Sequence, residues 1–323
     1  MNRFESVLKE GRPLILHGAL GTELEARGYD VSGSLWSAQY ISKQPDVIRQ
    51  IHEDYILAGA DVVTTSSYQA SLQGLLDAGQ SEEEAQATIR KSVQLAKEAI
   101  DRVWQYLPES QKTSRILPLI SGDVGPYAAY LADGSEYTGA YDLSATDFKD
   151  FHRPRITWLL EEGVDLLALE TMPNLAEIKA LSDLLEQEFP ESRAYLSVTT
   201  QDGFHLSDGH ELAEVAQLVE DSQQILALGI NCSQPDHLSN GLEQLAQSSS
   251  KPLVAYPNSG ESYDGATQSW QKGHLSSVTL AQQVTDWQAN GAQIVGGCCR
   301  TRPADIAALS EKLSGQLKTF SGK

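Results

Sequence analysis

Cys232, Cys298 and Cys299 are the entire thiol complement of this 323-residue chain, and two of them are adjacent. The first closes the run GINC (229–232) and the other two close GGCC (296–299). Three thiolates gathered on one tetrahedral zinc leave the fourth position for a substrate atom, which is the catalytic arrangement rather than the closed structural one. The competing reading is three small buried apolar side chains, since free cysteine is commonly buried. Position alone leaves the two open. Further polar residues stand where apolar runs end: His17, Glu170, Asn231 and Asn258, with Tyr68 just after the second run.

The elements that must carry these residues form a regular series. Eight apolar runs recur: LILHG (14–18), DVVTTSS (61–67), RILPLISGDVG (115–125), DLLALET (165–171), AYLSVTT (194–200), ILALGINC (225–232), PLVAYPN (252–258) and QIVGGCC (293–299). They are continuous rather than alternating, as in strands covered on both faces. Helical patterns separate them: from Pro45 to about Ala58, around 82–104, near 144–162, from about Leu175, near 210–222, from Pro235-Asp236, near 278–289 and from Pro303. Glycines in AGADVV (58–63), EGVDLL (162–167) and NGAQIV (290–295) suit the left-handed residue that stops a helix before the next strand. Eight such units predict a (β/α)8 TIM barrel, a single α/β domain over residues 1–323. A doubly wound open sheet is the alternative, but no GxGxxG follows the first strand.

A barrel puts its active site at the carboxyl ends of its strands, where the polar residues above gather. Strands six and eight lie roughly 10 Å apart across strand seven, so thiols leaning inward from both can reach one ion. Cys298 and Cys299 cannot both point inward from a regular strand; Gly296-Gly297 offers a bend. That glycine pair could instead cradle a phosphate. Glu170 has a plain alternative as a barrel-mouth ion-pair partner, His17 as a structural hydrogen-bonding residue, and Tyr68 and Asn258 as loop packing. His205 and His210 read as solvated loop residues.

Acidic residues outnumber basic ones 44 to 24, for a formal net charge of −20. That field repels phosphate backbones and anionic membranes, and no basic stripe offsets it, so neither nucleic acid nor membrane is expected as a partner. The charge also serves solubility. MNRFESVLKEGRP (1–13) lacks the apolar run of a signal peptide, and no stretch approaches the ~20 apolar residues of a membrane helix. An odd number of cysteines without an export signal argues against a disulfide framework. The cytoplasm is the expected location.

The sequence resembles the homocysteine S-methyltransferase family over nearly its whole length, from LILHGALGTELEARG to GGCCRTRPADIAAL. GINC and GGCC resemble the family's zinc-binding cysteines. SLWSA (34–38), TSSYQAS (65–71), GDVGPYAAYLADGSEY (122–137), ALETMPN (168–174) and YPNSGE (256–261) match as well, and are closest to the branch that uses S-methylmethionine. The resemblance implies a zinc-bearing barrel with Cys232, Cys298 and Cys299 as Zn2+ ligands and with homocysteine and a sulfonium donor as small-molecule substrates. It implies that Glu170 holds the homocysteine amino group, that Asn231 lies beside the first ligand, and that Tyr68 and Asn258 line the pocket. One position departs: the family's first strand usually ends Asp-Gly, and here it ends His17-Gly18. A neutral imidazole can accept a hydrogen bond from an ammonium but brings no negative charge. The alternatives are S-adenosylmethionine, betaine or a methylated folate as donor, a zinc hydrolase or lyase, and a non-catalytic zinc-stabilised binding protein.

Overall fold

In the computed structural model eight parallel strands close around a common axis in the order of the sequence. They are β1 (Leu14–Ile15), β2 (Val62–Thr64), β3 (Leu119–Val124), β4 (Leu166–Met172), β5 (Ala194–Val198), β6 (Ile225–Asn231), β7 (Leu253–Tyr256) and β8 (Ala292–Val295). Each pairs with its sequence neighbour, and β8 pairs with β1 through Leu14↔Ile294 and Ile15↔Val295. A lone parallel bridge, Leu16↔Val62, joins β1 to β2. The result is the predicted single-domain (β/α)8 barrel. The structure describes residues 2–260, 262–264, 269–271 and 280–320; Glu261 of YPNSGE and the expected helix start at 278 lie outside them.

The principal helices alternate with the strands: α1 (Pro45–Ala58), α2 (Glu82–Tyr106), α3 (Ala145–Glu161), α4 (Leu175–Glu188), α5 (Leu212–Val219), α6 (Pro235–Ser248), α7 (Leu280–Ala289) and α8 (Pro303–Phe320). Their starts are chemically marked. Ser81 and Glu84 form a reciprocal capping box on α2, Ser144 accepts from Asp147 N on α3, and Asn174 accepts from Glu177 N on α4. Gly59, Gly163 and Gly291 stop three helices at φ of 113°, 84° and 94°, a conformation that a Cβ would strain. Among the described residues no helix is long and apolar enough to cross a membrane.

Strand alternation divides the core in two. Leu14, Leu119, Leu166, Ala168, Val254 and Ile294 point inward and fill the barrel. Val63, Ile120, Leu167, Leu196 and Leu228 point outward against the helices. Burial on both faces is why the runs read as continuous. The short helix Arg3–Lys9, capped by Asn2, packs fully buried Phe4 into the inner cluster. Sequence reading passed over this helix. It also passed over Gly21–Ala26, Leu72–Asp77 and Tyr127–Leu131 and the antiparallel pair Ser262–Asp264 with Ser269–Gln271. Each is too short to display a period.

Candidate metal centre and substrate cavity

The three cysteines converge from the ends of β6 and β8. Cys232 follows β6 at φ 47°, a left-handed conformation uncommon outside glycine. Two backbone bonds and one side chain hold it there: Cys232 N donates to Tyr256 O at 3.3 Å, Asn258 N to Ser233 O at 3.1 Å, and Asn258 Nδ2 to Cys232 O at 3.1 Å. Beyond β8, Cys298 N donates to Pro257 O at 2.8 Å and Ser259 N to Cys299 O at 3.1 Å, which ties the GGCC turn to the end of β7. Neither Gly296 nor Gly297 has positive φ; the left-handed residue is Arg300, at 68°. The glycines are needed for close approach instead. A Cβ on Gly296 would come within 2.7 Å of Leu16 Cβ, and one on Gly297 within 2.4 Å of Thr301 Oγ1.

All three sulfurs lie within 4.8 Å of one another. Cys232 Sγ is 3.8 Å from Cys299 Sγ, near the sulfur–sulfur edge of about 3.8 Å that zinc–sulfur bonds of about 2.3 Å impose on a tetrahedron. Cys232 and Cys298 are in contact as a disulfide pair, and Cys299 is a free, buried thiol. Once that pair is reduced, the site offers three sulfur donors to a single ion, a set that suits zinc-like metals rather than magnesium or calcium. Burial pushes the Cys299 thiol up to about 12, assisted by the nearby Glu170 and Glu136 carboxyls. A thiol so placed ionises at neutral pH only against a cation. The donor set fits a metal.

The sulfurs open into a cavity of about 400 Å³ at the carboxyl end of the barrel, shared with His17, Tyr68 and Glu170. Glu170 points inward because it continues the Leu166, Ala168 register of β4. Its Oε2 accepts from Tyr256 Oη at 3.0 Å, and burial pushes its carboxyl up to about 7. Tyr68 meets Trp36 edge to face, with ring centroids 6.4 Å apart. Trp36 in turn packs onto Gly21, where any Cβ would collide with the indole, so the glycine of LGTELEARG and the tryptophan of SLWSA form one wall.

His17 is on the wall but committed elsewhere. Its Nε2 lies 2.8 Å from Thr64 O and its Nδ1 contacts Gly18 O. Burial lowers its pKa from the ordinary histidine range, against those carbonyl contacts. A neutral ring carries one N–H, and Thr64 O is the better placed acceptor. Asn231 and Asn258 lie beside the cysteine cluster: Asn231 is fully buried and holds Thr171 and Cys298, and Asn258 Nδ2 donates to Cys232 O. His205 and His210 are exposed and pair with Asp202 and Asp208.

Among the cavity acids that were not singled out from sequence, Asp123 and Glu136 face the same space as Glu170. Asp123, next to last in β3, is in register with Ala168 of β4, and its parity with inward Leu119 is the signal that could have found it. Glu136 sits in the short 3-10 turn Ser135–Tyr137, where burial pushes its carboxyl up to about 7.

An α/β barrel with a cysteine triad able to hold a metal, facing an acidic, aromatic-walled cavity at the carboxyl ends of its strands, has the architecture of a barrel enzyme. The family model for homocysteine S-methyltransferase matches residues 14–313. A homocysteine S-methyltransferase from Escherichia coli (strain K12) is 46% identical over 311 residues, 96% of this chain and 98% of that one. Another from Bacillus subtilis (strain 168) is 43% identical over 310 residues, 96% and 97% of the two chains. The metallated form of the homocysteine methyltransferase MmuM from Escherichia coli superposes with a TM-score of 0.85 at 44% identity, covering 96% of this chain and all of that one. The chain belongs to the homocysteine S-methyltransferase family and is a methyltransferase.

Proposed function

We propose that the protein transfers a methyl group from S-methylmethionine to the thiol of homocysteine, giving methionine, with zinc held by Cys232, Cys298 and Cys299. The observation that carries this reading is three sulfurs within 4.8 Å of one another, open to a cavity that also holds Glu170. Zinc bound there supplies a Lewis acid that keeps a substrate thiol deprotonated at neutral pH. Glu170, braced by Tyr256, receives the homocysteine ammonium and so fixes the direction from which the sulfur reaches the donor. The sulfur attacks the sulfonium methyl in line; the new S–CH3 bond forms as the old C–S bond breaks, and its electron pair stays on the departing sulfur. That sulfur leaves neutral, so no general acid is required. Trp36 and Tyr68 present aromatic surface to a cationic donor, and the cavity carboxyls favour it further. A cytoplasmic setting suits thiols that must stay reduced.

The test is to incubate the reduced, zinc-loaded protein with homocysteine and S-methylmethionine, S-adenosylmethionine, betaine or methylfolate, and to measure methionine. The highest kcat/KM is expected with S-methylmethionine. A higher value with betaine or methylfolate overturns the donor assignment, and no methionine from any donor overturns the reaction.

A further inference from the structure

The carboxyl of Asp123 has no role in the reading above, yet it is one of the most constrained groups in the cavity. The backbone around it is fixed on both sides: Asp123 N donates to Thr65 Oγ1 at 3.0 Å, and Ser67 Oγ donates to Asp123 O at 2.7 Å. The side chain is then left to face Glu170, close enough for the two carboxyls to hydrogen-bond when one of them is protonated. Its Oδ1 is buried and has no hydrogen-bond partner among the described residues. Arg155, whose charge acts on Asp123, donates instead to Tyr68 O at 2.8 Å and to Gly125 O at 2.6 Å. Two carboxyls therefore meet near the ends of β3 and β4 with no side-chain cation between them among the described residues. Burial and the Glu170 charge together push Asp123 well above the usual carboxylate range, so the pair favours a shared, bridging proton over two charges. A fold that needed Asp123 only for packing would be served better by a neutral side chain of the same shape.

We infer that Asp123 is a substrate-binding residue, its carboxylate sharing the homocysteine ammonium with Glu170. It thereby supplies from the end of β3 the anionic group that His17 does not supply from the end of β1. The ammonium takes the place of the bridging proton, which leaves to solvent, and gives the idle Oδ1 a donor. This rests on homocysteine occupying the cavity as proposed above.

The experiment compares two ligands on the reduced, zinc-loaded protein: homocysteine and 4-sulfanylbutanoate, which is homocysteine without its amino group. Dissociation constants are measured by calorimetry and kinetic constants by product formation, for wild type, Asp123→Asn and Asp123→Ser. Zinc content and thermal midpoint are recorded for each. The wild type is expected to prefer homocysteine, and both substitutions to weaken homocysteine about 10- to 150-fold, the range for loss of one charge-assisted hydrogen bond. They are expected to leave 4-sulfanylbutanoate nearly unchanged, so the preference collapses. The thermal midpoint is expected to hold or rise, because a buried ionisable group has been replaced by a neutral one. If both ligands weaken equally, or neither weakens, Asp123 does not contact the ammonium and the inference is wrong. If the wild type itself neither binds nor methylates homocysteine, the proposed function fails instead. Asp123→Ser, small and polar, provides the comparison if Asp123→Asn does not accumulate.

Discussion

Asn231 grips Thr171 with both ends of its side-chain amide: Oδ1 accepts from Thr171 N at 2.9 Å, and Nδ2 donates to Thr171 Oγ1 at 2.8 Å. The same Nδ2 lies 3.9 Å from Cys298 Sγ. Thr171 has φ 61°, a genuine outlier for a β-branched residue, and such strain costs on the order of 1–3 kcal/mol unless neighbours impose it. Thr171 directly follows Glu170, so the strained residue aims the carboxylate, and the amide that enforces the strain also reaches the cysteine cluster.

Asn231→Leu removes two buried bonds and leaves the Thr171 groups unpaired. The expected loss is roughly 2–4 kcal/mol by denaturant unfolding of the metal-free protein, together with a fall in kcat/KM for homocysteine. Relaxing the backbone with Thr171→Gly in the same background is expected to recover part of the stability but not the activity. Full recovery of both would mean that Asn231 does not position Glu170.

Metal binding is expected at about one zinc per chain. Cys298→Ala leaves two sulfurs and is expected to lose most of its zinc by elemental analysis after dialysis, with the far-ultraviolet dichroism of a folded barrel retained. Chelation of the wild type is expected to abolish turnover, and added zinc to restore it. A Cys298→Ala protein that retains full zinc and full activity removes Cys298 from the ligand set.

Glu170→Gln keeps the shape and removes the charge. Homocysteine use is expected to fall about 10- to 150-fold. With the wild-type carboxyl held up to about 7, kcat/KM is expected to decline as pH drops below that value, and Glu170→Gln to flatten this limb. The stability effect has the opposite sign. A carboxyl whose folded pKa is raised stabilises fully below its unfolded value of about 4.5 and loses that contribution as pH rises through about 7. Glu170→Gln is therefore expected to raise the thermal midpoint at pH 8 while lowering activity. Unchanged homocysteine kinetics would return Glu170 to a structural role.

Much of this arrangement was legible before any coordinates. The eight runs and their glycine stops specify the barrel, because burial of strands on both faces writes an uninterrupted apolar pattern. The cysteine triad stands out because GINC and GGCC end strands six and eight. The support behind the wall was not legible. Asn231 and Asn258 stand out in sequence at the ends of their runs, but their backbone partners, Thr171 N and Cys232 O, are 60 and 26 positions away. Those partners exist only once β4, β6 and β7 lie side by side. Asp123 is a different case: its inward parity could be read, but the facing carboxyl on β4 depends on the register between two strands.

His52, on α1, is fully buried, neither ring nitrogen has a hydrogen-bond partner among the described residues, and its ring centroid is 5.9 Å from that of His17. Burial, reinforced by His17, drives its pKa from 6.5 down to about 3. The unfolded chain then binds a proton that the folded chain refuses between about pH 6.5 and pH 3. Stability is fully present above the first value and falls as pH drops toward the second, at about 1.4 kcal/mol per pH unit. His52→Leu removes both the titration and two unpaired polar atoms. It is expected to stabilise the protein at pH 8, and by about 2 kcal/mol more at pH 5, the cost accumulated over about 1.5 pH units below 6.5. His17 and His152, also lowered by burial, leave a residual acid slope in the variant. Denaturant titrations of wild type and His52→Leu at the two pH values decide the point. If the gain is the same at both, His52 is not an acid-sensitive group of the folded protein, and the loss of stability in acid belongs to other residues.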